Sequence, residues 1–418
     1  MFRQTIILTI LLPLTAHTET LNDYLNEAAK NNPQLAAAYN QWQASSEQIK
    51  QQKSLPDPTI SYAYYFDKVE TRVGPQEQRF GITQKFPTFG KRSLKRKAAT
   101  ESAAAAGERY KKVLLNLNTQ VTRAYSELWF LQRSINITRK RIHLLSQLEQ
   151  VARTRYKTGG SMAPVTQAQM ELGKLEDRLL SLEDLRQPLN ATLNALLNRP
   201  SGSPLPLPAT LPFTPVPTNS ETLFAELAEN SPELAGLGYA LKGAEHREKL
   251  ARREWLPDLT LGLQYIDTGD AIMPTAESGK DPIIGTVSIN LPLWFDKNSA
   301  RIREAGYQKT AAILTLENRQ QTLEANIKKT LFKLRDAERK IGLYKNGLIP
   351  KAEQALEVTQ QGYKSGKLEF INLIDAERQL LEFELTCERA RANHLQHRAE
   401  LSVQSGIDFL TGGTHETN

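Results

Sequence analysis

Hydrophobic and polar positions change period in the same order in each half of the chain. Residues 20–54 and 219–254 are rich in Ala, Leu, Glu, Gln and Lys, which predicts helices. Segments of alternating apolar and small or polar residues follow, and this pattern predicts β-strands with one apolar face. Their length suits membrane β-strands, although an edge strand of a soluble sandwich would show the same pattern. The predicted strand pairs are residues 59–66 with 79–86 and residues 259–266 with 283–291.

After each strand pair, apolar residues recur at heptad spacing, which predicts long coiled-coil helices. The first of these helices runs from Ser93 to about Arg155. A helix of about 63 residues would extend roughly 95 Å, so we expect it to cross a wide space. Return helices are predicted at residues 165–197 and 369–404. The heptad positions are Leu114, Val121, Leu128, Ile135 and Ile142 in the first half, and Ile327, Leu334, Ile341 and Leu348 in the second.

The chain is an internal duplication. Leu55-Pro56-Asp57 returns as Leu256-Pro257-Asp258, and Phe89-Gly90-Lys91 is answered by Phe295-Asp296-Lys297. A Pro-rich stretch separates the two copies, and proline favours an extended strap over a helix. The predicted segments are a first structural repeat at residues 19–199, the strap at 200–218, a second structural repeat at 219–407 and a C-terminal tail at 408–418.

Composition and charge exclude several classes of protein. The 418 residues include 53 Lys+Arg and 46 Asp+Glu, interspersed along the chain, which predicts a solvated mixed-charge surface and no nucleic-acid partner. The single cysteine, Cys387, excludes an intrachain disulfide and a multi-cysteine metal site. Residues 1–18 have the basic start and short apolar stretch of a secretory signal peptide, so we expect the chain to be exported.

The strand count predicts an oligomer. Four strands are too few to close a barrel, and unpaired strand edges are costly in lipid. The simplest arrangement is a symmetric trimer whose copies share twelve strands.

Export, duplication, paired strands, long heptad helices and a Pro-rich strap together resemble the TolC-like outer-membrane efflux protein family, from about Leu21 to Ile407. The resemblance implies a mainly α fold with a membrane β-barrel. It implies a homotrimer with a twelve-stranded outer-membrane barrel, continued by a periplasmic α-helical coiled-coil barrel. Residues 86–92, Phe-Pro-Thr-Phe-Gly-Lys-Arg, are similar to the strand-exit motif of the heavy-metal (cobalt-zinc-cadmium or copper) branch, so heavy-metal cations are the expected cargo.

The same resemblance implies location and partners. The chain is expected in the cell outer membrane, in contact with lipid and with a large periplasmic portion. Its expected partners are a periplasmic adaptor (a membrane fusion protein) and an inner-membrane, proton-driven pump. The alternatives are a drug or protein export duct of the same family and, in a different class, a periplasmic coiled-coil adaptor without a pore.

Two matching turns are candidate docking sites. Tyr156-Lys157-Thr158-Gly159 recurs as Tyr363-Lys364-Ser365-Gly366, and each glycine permits the positive φ that ends a helix. By resemblance, Tyr156, Gly159, Tyr363 and Gly366 belong to the periplasmic tips where the adaptor docks. We expect substitutions there to leave the protein core intact.

Two further groups have roles implied by the resemblance. Asn372 and Asp375 stand at the family's two acidic positions at the periplasmic aperture, so each chain would contribute one carboxylate there; a solvated helical Asp is the alternative. A basic cluster is expected to contact lipid phosphates where barrel meets helix, with a solvated helix start as the alternative. Its residues are Lys91, Arg92, Lys95, Arg96 and Lys97.

No constellation for chemistry is recognisable. The sequence has no nucleotide-binding loop, zincin helix or Gly-x-Ser-x-Gly elbow, so we expect no catalytic residue and no cofactor. His394 and His397 could seat a metal together with Glu400, but two solvated histidines are the preferred interpretation, so no metal site is expected. The sequence therefore predicts a passive export duct and not an enzyme.

Overall fold

A computed structural model describes residues 19–88, 90–206, 208, 210–215, 230–273 and 275–410. The predicted signal peptide, residues 216–229 of the strap and second repeat, and residues 411–418 of the tail lie outside the described residues. The described chain is mostly helical with one four-stranded antiparallel sheet, which confirms the predicted combination of helices and four strands. None of the described helices is both long enough and apolar enough to cross a membrane.

In the described part of each half a helical segment precedes a strand pair and further helices follow it, but the helices are divided at different places. The first half contains α1 (Leu21–Asn31), α2 (Pro33–Lys53), β1 (Thr59–Val69), β2 (Gln76–Phe86), α3 (Lys91–Lys157), α4 (Ala163–Asp184) and α5 (Arg186–Leu197). The second half contains α6 (Pro232–Arg253), β3 (Leu259–Thr268), β4 (Ile283–Ile289), α7 (Phe295–Leu343), a π-helical turn (Tyr344–Leu348), α8 (Ile349–Lys364) and α9 (Phe370–Ser405).

Local chemistry divides helices that the sequence pattern shows as continuous. Asn32 separates α1 from α2, and its Oδ1 accepts hydrogen bonds from the backbone N–H groups of Gln34 and Leu35. In the second half the π-helical turn ends two residues before Pro350, which has no N–H to donate to the preceding turn. Both interruptions arise where a backbone donor is missing or is satisfied by a side chain.

Contacts divide the chain into two compact units, each with segments from both halves. The described residues within 1–35, 114–227 and 325–418 form the helical unit, and those within 36–113 and 228–324 form the sheet unit. In the helical unit, α3, α4, α8 and α9 bury a common apolar core. Ion pairs between α3 and α9 run beside it, among them Arg133–Glu388 at 2.9 Å and Arg389–Glu127 at 2.7 Å.

The sheet has the strand order β1-β2-β3-β4, so β1 and β4 are its edges. One face carries the aligned residues Tyr62, Phe80, Tyr265 and Ile283. Small and polar residues dominate the opposite face, as alternation predicts. Within the described residues the apolar face is uncovered: Ile60, Phe66 and Val287 are 79%, 91% and 73% exposed.

Strand lengths differ from the sequence prediction at both ends of the sheet. β1 and β2 are each three residues longer toward their connecting loop, β3 ends two residues later, and β4 ends two residues earlier. The β1–β2 register shifts between Tyr64 and Val69, and this bulge breaks the alternation on which the prediction rests.

Candidate functional site

A buried ion pair joins the sheet to the helix that follows it. Lys91 Nζ donates to Asp258 Oδ1 at 2.7 Å and to the carbonyl oxygen of Leu256 at 2.6 Å. The backbone N–H of Thr88 donates to Asp258 Oδ1 at 3.0 Å. The Thr88 hydroxyl lies within hydrogen-bond distance of both the carbonyl oxygen of Pro257 and Asp258 Oδ1, and Lys85 Nζ lies 3.1 Å from Oδ2. We call this group, Lys85, Thr88, Lys91 and Asp258, the strand–helix junction. It fixes the end of β2, the start of α3 and the start of β3 in one place.

The junction keeps the Asp258 carboxylate charged. Burial alone would raise its pKa, but hydrogen bonds from Lys91, Thr88 and Lys85 outweigh burial and hold the pKa well below its usual range. Two of the five residues of the predicted basic cluster are therefore engaged within the chain. Lys91 is buried at the junction, and Arg92 donates to the carbonyl oxygen of Lys53. The exposed cations of this run are Lys95, Arg96 and Lys97.

An apolar patch that the sequence analysis did not single out follows β4. It consists of Leu291, Leu293, Trp294 and Phe295, all exposed. Phe295 packs on Trp255 with ring centroids 5.4 Å apart. The signal was present in the sequence as the run Leu-Pro-Leu-Trp-Phe at residues 291–295. Exposed aromatic residues beside an apolar strand face are typical of a membrane–water boundary.

The two glycine turns have the backbone that the sequence predicts. Gly159 has φ +96° and Gly366 has φ +77°, and each follows the last turn of a helix. No atom lies within 4 Å of a Cβ added at either glycine, so backbone conformation and not space favours glycine there.

The tyrosines of the two turns have different environments. Tyr156 is 48% exposed, whereas Tyr363 is 4% exposed and packs on Phe370 with ring centroids 5.2 Å apart. The guanidinium of Arg155 lies 4.5 Å from the centre of the Tyr363 ring, and Arg155 Nη2 donates to the carbonyl oxygen of Lys364 at 2.7 Å. The expectation that substitutions at the turns leave the core intact is therefore wrong for Tyr363, because its ring belongs to the core of the helical unit.

The two predicted aperture residues lie on one exposed side of the first turns of α9. Leu373 and Ile374 between them are buried, which fixes the outward direction of Asn372 and Asp375. The Asp375 side chain is 64% exposed, and its Oδ1 lies 3.5 Å from Nη1 of Arg378. An ion pair this exposed contributes little to stability, so the carboxylate is available to solvent and ions.

Two residues after Asp375 on α9, Glu377 is buried. Its Oε1 lies 4.0 Å from Nε of Arg141, whose Nη2 donates to Glu384 at 2.5 Å. Burial raises the Glu377 pKa to about 7, and the nearby carboxylates of Glu171 and Glu384 add to this effect. Arg141 opposes it, but its guanidinium is already hydrogen-bonded to Glu384. Glu377 therefore keeps its proton at pH values where an exposed Glu has lost it.

We expect stability to fall with rising pH because of Glu377. Between about pH 4.5 and pH 7 the unfolded chain has released this proton and the folded chain has not, so folding is penalised by up to roughly 3 kcal/mol. Glu377→Gln removes this pH dependence. Chemical denaturation of both proteins at pH 5 and pH 8 measures it: the variant should gain stability relative to wild type at pH 8. An equal difference at both pH values would contradict the buried, protonated state.

The two histidines, His394 and His397, differ in their surroundings. His394 is fully buried, with Nε2 3.1 Å from Glu338 Oε1 and its ring 4.7 Å from that of Phe213. Burial lowers the pKa of His394, which favours the neutral imidazole. His397 instead lies 3.1 Å from Glu400. The preferred interpretation of two solvated histidines is thus wrong for His394, and the residues that the structure describes contain no group of three or more potential ligands placed to hold a metal ion.

Comparison with known sequences gives a consistent result. The sequence profile of the family described as "Outer membrane efflux protein" matches residues 24–199 and 223–406. The chain is 26% identical over 369 residues to the cobalt-zinc-cadmium resistance protein CzcC of Cupriavidus metallidurans, covering 87% of this chain and 84% of that protein. It is 24% identical over 408 residues to the outer membrane protein TolC of Vibrio cholerae, covering 94% and 92% respectively.

Solved structures show the same fold. The outer membrane protein VceC of Vibrio cholerae has a TM-score of 0.77 at 18% identity, covering 93% of this chain and 96% of that one. The outer-membrane channel OprN has a TM-score of 0.80 at 16% identity, covering 92% and 89%. CusC, described in terms of folding and transmembrane channel formation, has a TM-score of 0.80 at 16% identity and 92% coverage of both chains.

Proposed function

This chain belongs to the outer membrane efflux protein family, and we propose that it is the outer-membrane duct of a tripartite system that exports heavy-metal cations. Members of the family are efflux channels of the outer membrane with large periplasmic portions, so this protein is a channel and not an enzyme. The observation that supports metal cations as cargo is the similarity over most of both chains to a cobalt-zinc-cadmium resistance protein.

We propose a homotrimer that closes a twelve-stranded barrel. The support is the sheet itself, which has an exposed apolar face and two edge strands, β1 and β4, each of which pairs with a described strand on one side only. Unpaired backbone groups cost several kcal/mol each in lipid, and closure removes them. The long helices of three copies would then form the periplasmic coiled-coil barrel, and the signal peptide predicted at residues 1–18 would direct export.

Each end of the duct has proposed contact residues. Lys95, Arg96 and Lys97 would face lipid phosphates, and the apolar patch with Trp294 would lie at the membrane–water boundary. The turns at Gly159 and Gly366 would receive the periplasmic adaptor, which couples the duct to a proton-driven inner-membrane pump. The duct itself uses no fuel and binds no cofactor.

The first test concerns assembly and cargo. We expect a heat-resistant trimer in detergent, with Trp294 fluorescence quenched by brominated lipids after reconstitution. Deletion of the gene should sensitise cells to divalent transition-metal ions and leave resistance to hydrophobic drugs unchanged. A monomer in the soluble periplasmic fraction would refute the duct, whereas drug sensitivity without metal sensitivity would refute only the cargo.

The aperture assignment predicts a change in block by cations. Three Asp375 carboxylates around a three-fold axis would attract multivalent cations, with about 1 kcal/mol per close charge pair in water and more where water is restricted. Asp375→Asn should therefore weaken block by divalent cations added on the periplasmic side of a planar bilayer by about fivefold or more. Asn372→Asp should strengthen the block.

Asp177→Asn is the matched control, because Asp177 is an exposed carboxylate on α4 of the same unit. It should leave the block unchanged. If Asp375→Asn trimers are blocked as strongly as wild type, Asp375 faces elsewhere and the aperture assignment is wrong.

A further inference from the structure

The central ion pair of the strand–helix junction joins one residue from each repeat. Asp258 comes from the second copy of the Leu-Pro-Asp motif, and Lys91 comes from the first copy of the Phe-x-Lys motif. The duplication therefore also contains one aspartate and one lysine that are not part of this pair: Asp57 in the first copy and Lys297 in the second. Both belong to the sheet unit.

Asp57 and Lys297 are exposed, and neither side chain forms an ion pair or hydrogen bond with any described residue. This contrasts with Lys91 and Asp258, whose side chains are 8% and 12% exposed and 2.7 Å apart. The same two motifs thus form a buried pair in one combination and two solitary charges in the other.

The solitary charges lie at the two edges of the sheet and at the same end of it. Asp57 lies two residues before the start of β1, and Lys297 lies at the start of α7, after β4. Because neighbouring strands are antiparallel, the starts of β1 and β3 lie at the end where β2 and β4 finish. That end also holds the strand–helix junction between β2 and β3.

Resting on the proposed trimer, we propose that Asp57 of one copy forms an ion pair with Lys297 of the neighbouring copy, and so completes at each subunit boundary the junction that Asp258 and Lys91 form within the chain. When β4 of one copy pairs with β1 of the next, the strands repeat the antiparallel relation of β2 and β3. The occupant of each sheet edge is therefore a second copy of this chain. The two charges are opposite in sign. When β4 of one copy pairs with β1 of the next, both charges lie at the same end of that strand pair.

The register carried over from β2 and β3 supports this arrangement. Within the chain Ile82 is opposite Leu263, and the duplication makes Val287 the counterpart of Ile82 and Tyr62 the counterpart of Leu263. Val287 would thus lie opposite Tyr62 of the neighbour. Both residues lie on the apolar face, so the face stays continuous across the boundary.

The boundary junction is simpler than the internal one. Trp294 stands where Thr88 stands in the first copy, and Asn290 stands where Lys85 does. The Thr88 hydroxyl and the Lys85 ammonium therefore have no equivalents in the second copy. Of the two junction lysines, Lys91 is the one with a counterpart, Lys297. The pair should fail when either charge is reversed and recover when both are.

The first experiment uses charge reversal. Asp57→Lys and Lys297→Asp should each lower the temperature at which detergent-purified trimers dissociate by about 5 °C or more. The double variant should regain most of this loss. Arg303→Asp is the matched control on the same helix, since Arg303 is also an exposed cation without a described partner, and it should dissociate like wild type. Loss in both single variants without recovery in the double variant would overturn the pairing.

The second experiment is independent of stability. In a Cys387→Ser background, a short bis-maleimide should join Asp57→Cys to Lys297→Cys and give covalent dimers and trimers on a denaturing gel. Each single-cysteine variant should remain monomeric on that gel. Stable trimers that do not cross-link would overturn the ion pair and leave the trimer intact. If wild type forms no trimer, the proposed function itself fails.

Discussion

Replacing Asp258 by alanine is expected to lower the free energy of unfolding by about 3 to 5 kcal/mol, the usual cost of leaving a buried charge without its partner. The ammonium of Lys91 would keep only the carbonyl oxygen of Leu256 as an acceptor. The backbone N–H of Thr88 would lose its acceptor, and the Thr88 hydroxyl would lose one of its acceptors. The end of β2 and the start of α3 would then be held less firmly.

The measurement is chemical denaturation of the purified protein in detergent at neutral pH. The double variant Lys91→Met with Asp258→Asn should recover most of the loss, because an apolar residue of similar length replaces the stranded ammonium. Asp177→Ala, at an exposed carboxylate, is the control and should change stability by less than about 0.5 kcal/mol. A loss for Asp258→Ala no larger than that control would mean that the junction contributes little.

The Asp258 carboxylate also makes the stability of the protein depend on pH. The folded-state pKa of Asp258 lies below its unfolded value, so its contribution is fully present above about pH 4. The contribution is lost as pH falls toward the folded-state pKa. The penalty of Asp258→Ala relative to wild type should therefore shrink in acid, opposite in sense to the gain that Glu377→Gln shows at higher pH.

The periodicity of the sequence predicted the order of helices and strands because both periods are properties of the local chain. It did not predict where long helices are interrupted. At Asn32 a side chain satisfies the backbone donors of the next helix, and at Pro350 a donor is absent. The bulge between Tyr64 and Val69 likewise depends on the pairing of β1 with β2, which alternation in one strand does not reveal.

The sequence pattern could not predict which site residues are buried, because burial depends on residues that are distant in the chain. The basic run at residues 91–97 was interpreted as facing lipid phosphates, with a solvated helix start as the alternative. Both interpretations need exposed cations, yet Lys91 is buried against Asp258. His394 is buried by Phe213 and Glu338, neither of which lies near it in the chain. In both cases the local sequence pattern predicted the helix correctly but contained no information about the distant residue that packs against it.

Duplication made the two glycine turns look equivalent, and the structure separates their tyrosines. Tyr363 faces Phe370 and the guanidinium of Arg155, whereas Tyr156 is half exposed. A repeat copies the sequence of a turn but not its surroundings: of the two tyrosines, Tyr363 is the one that packs on Phe370 and Arg155. The proposed docking role is therefore divided: the Tyr156 side chain is available to a partner, and the Tyr363 side chain shapes the turn from within.

This division predicts opposite outcomes for the same substitution at the two turns. Tyr363→Ala should lower the free energy of unfolding by about 3 to 5 kcal/mol, the range for removing a large buried ring, and should reduce the yield of folded trimer. Tyr156→Ala should leave stability within about 0.5 kcal/mol of wild type, because little packing is lost, but should weaken cross-linking to the adaptor and impair export. Tyr363→Phe, which keeps the ring, is the control for the buried site.

Denaturation midpoints, trimer yield and adaptor cross-linking, measured on all three variants, separate packing from docking. If Tyr363→Ala folds and assembles normally, the ring does not support the second turn and the packing argument fails. If Tyr156→Ala leaves both cross-linking and export intact, the exposed ring is not part of the docking surface. Because the two tyrosines occupy the same place in the repeated motif, a difference between them can come only from what surrounds each one.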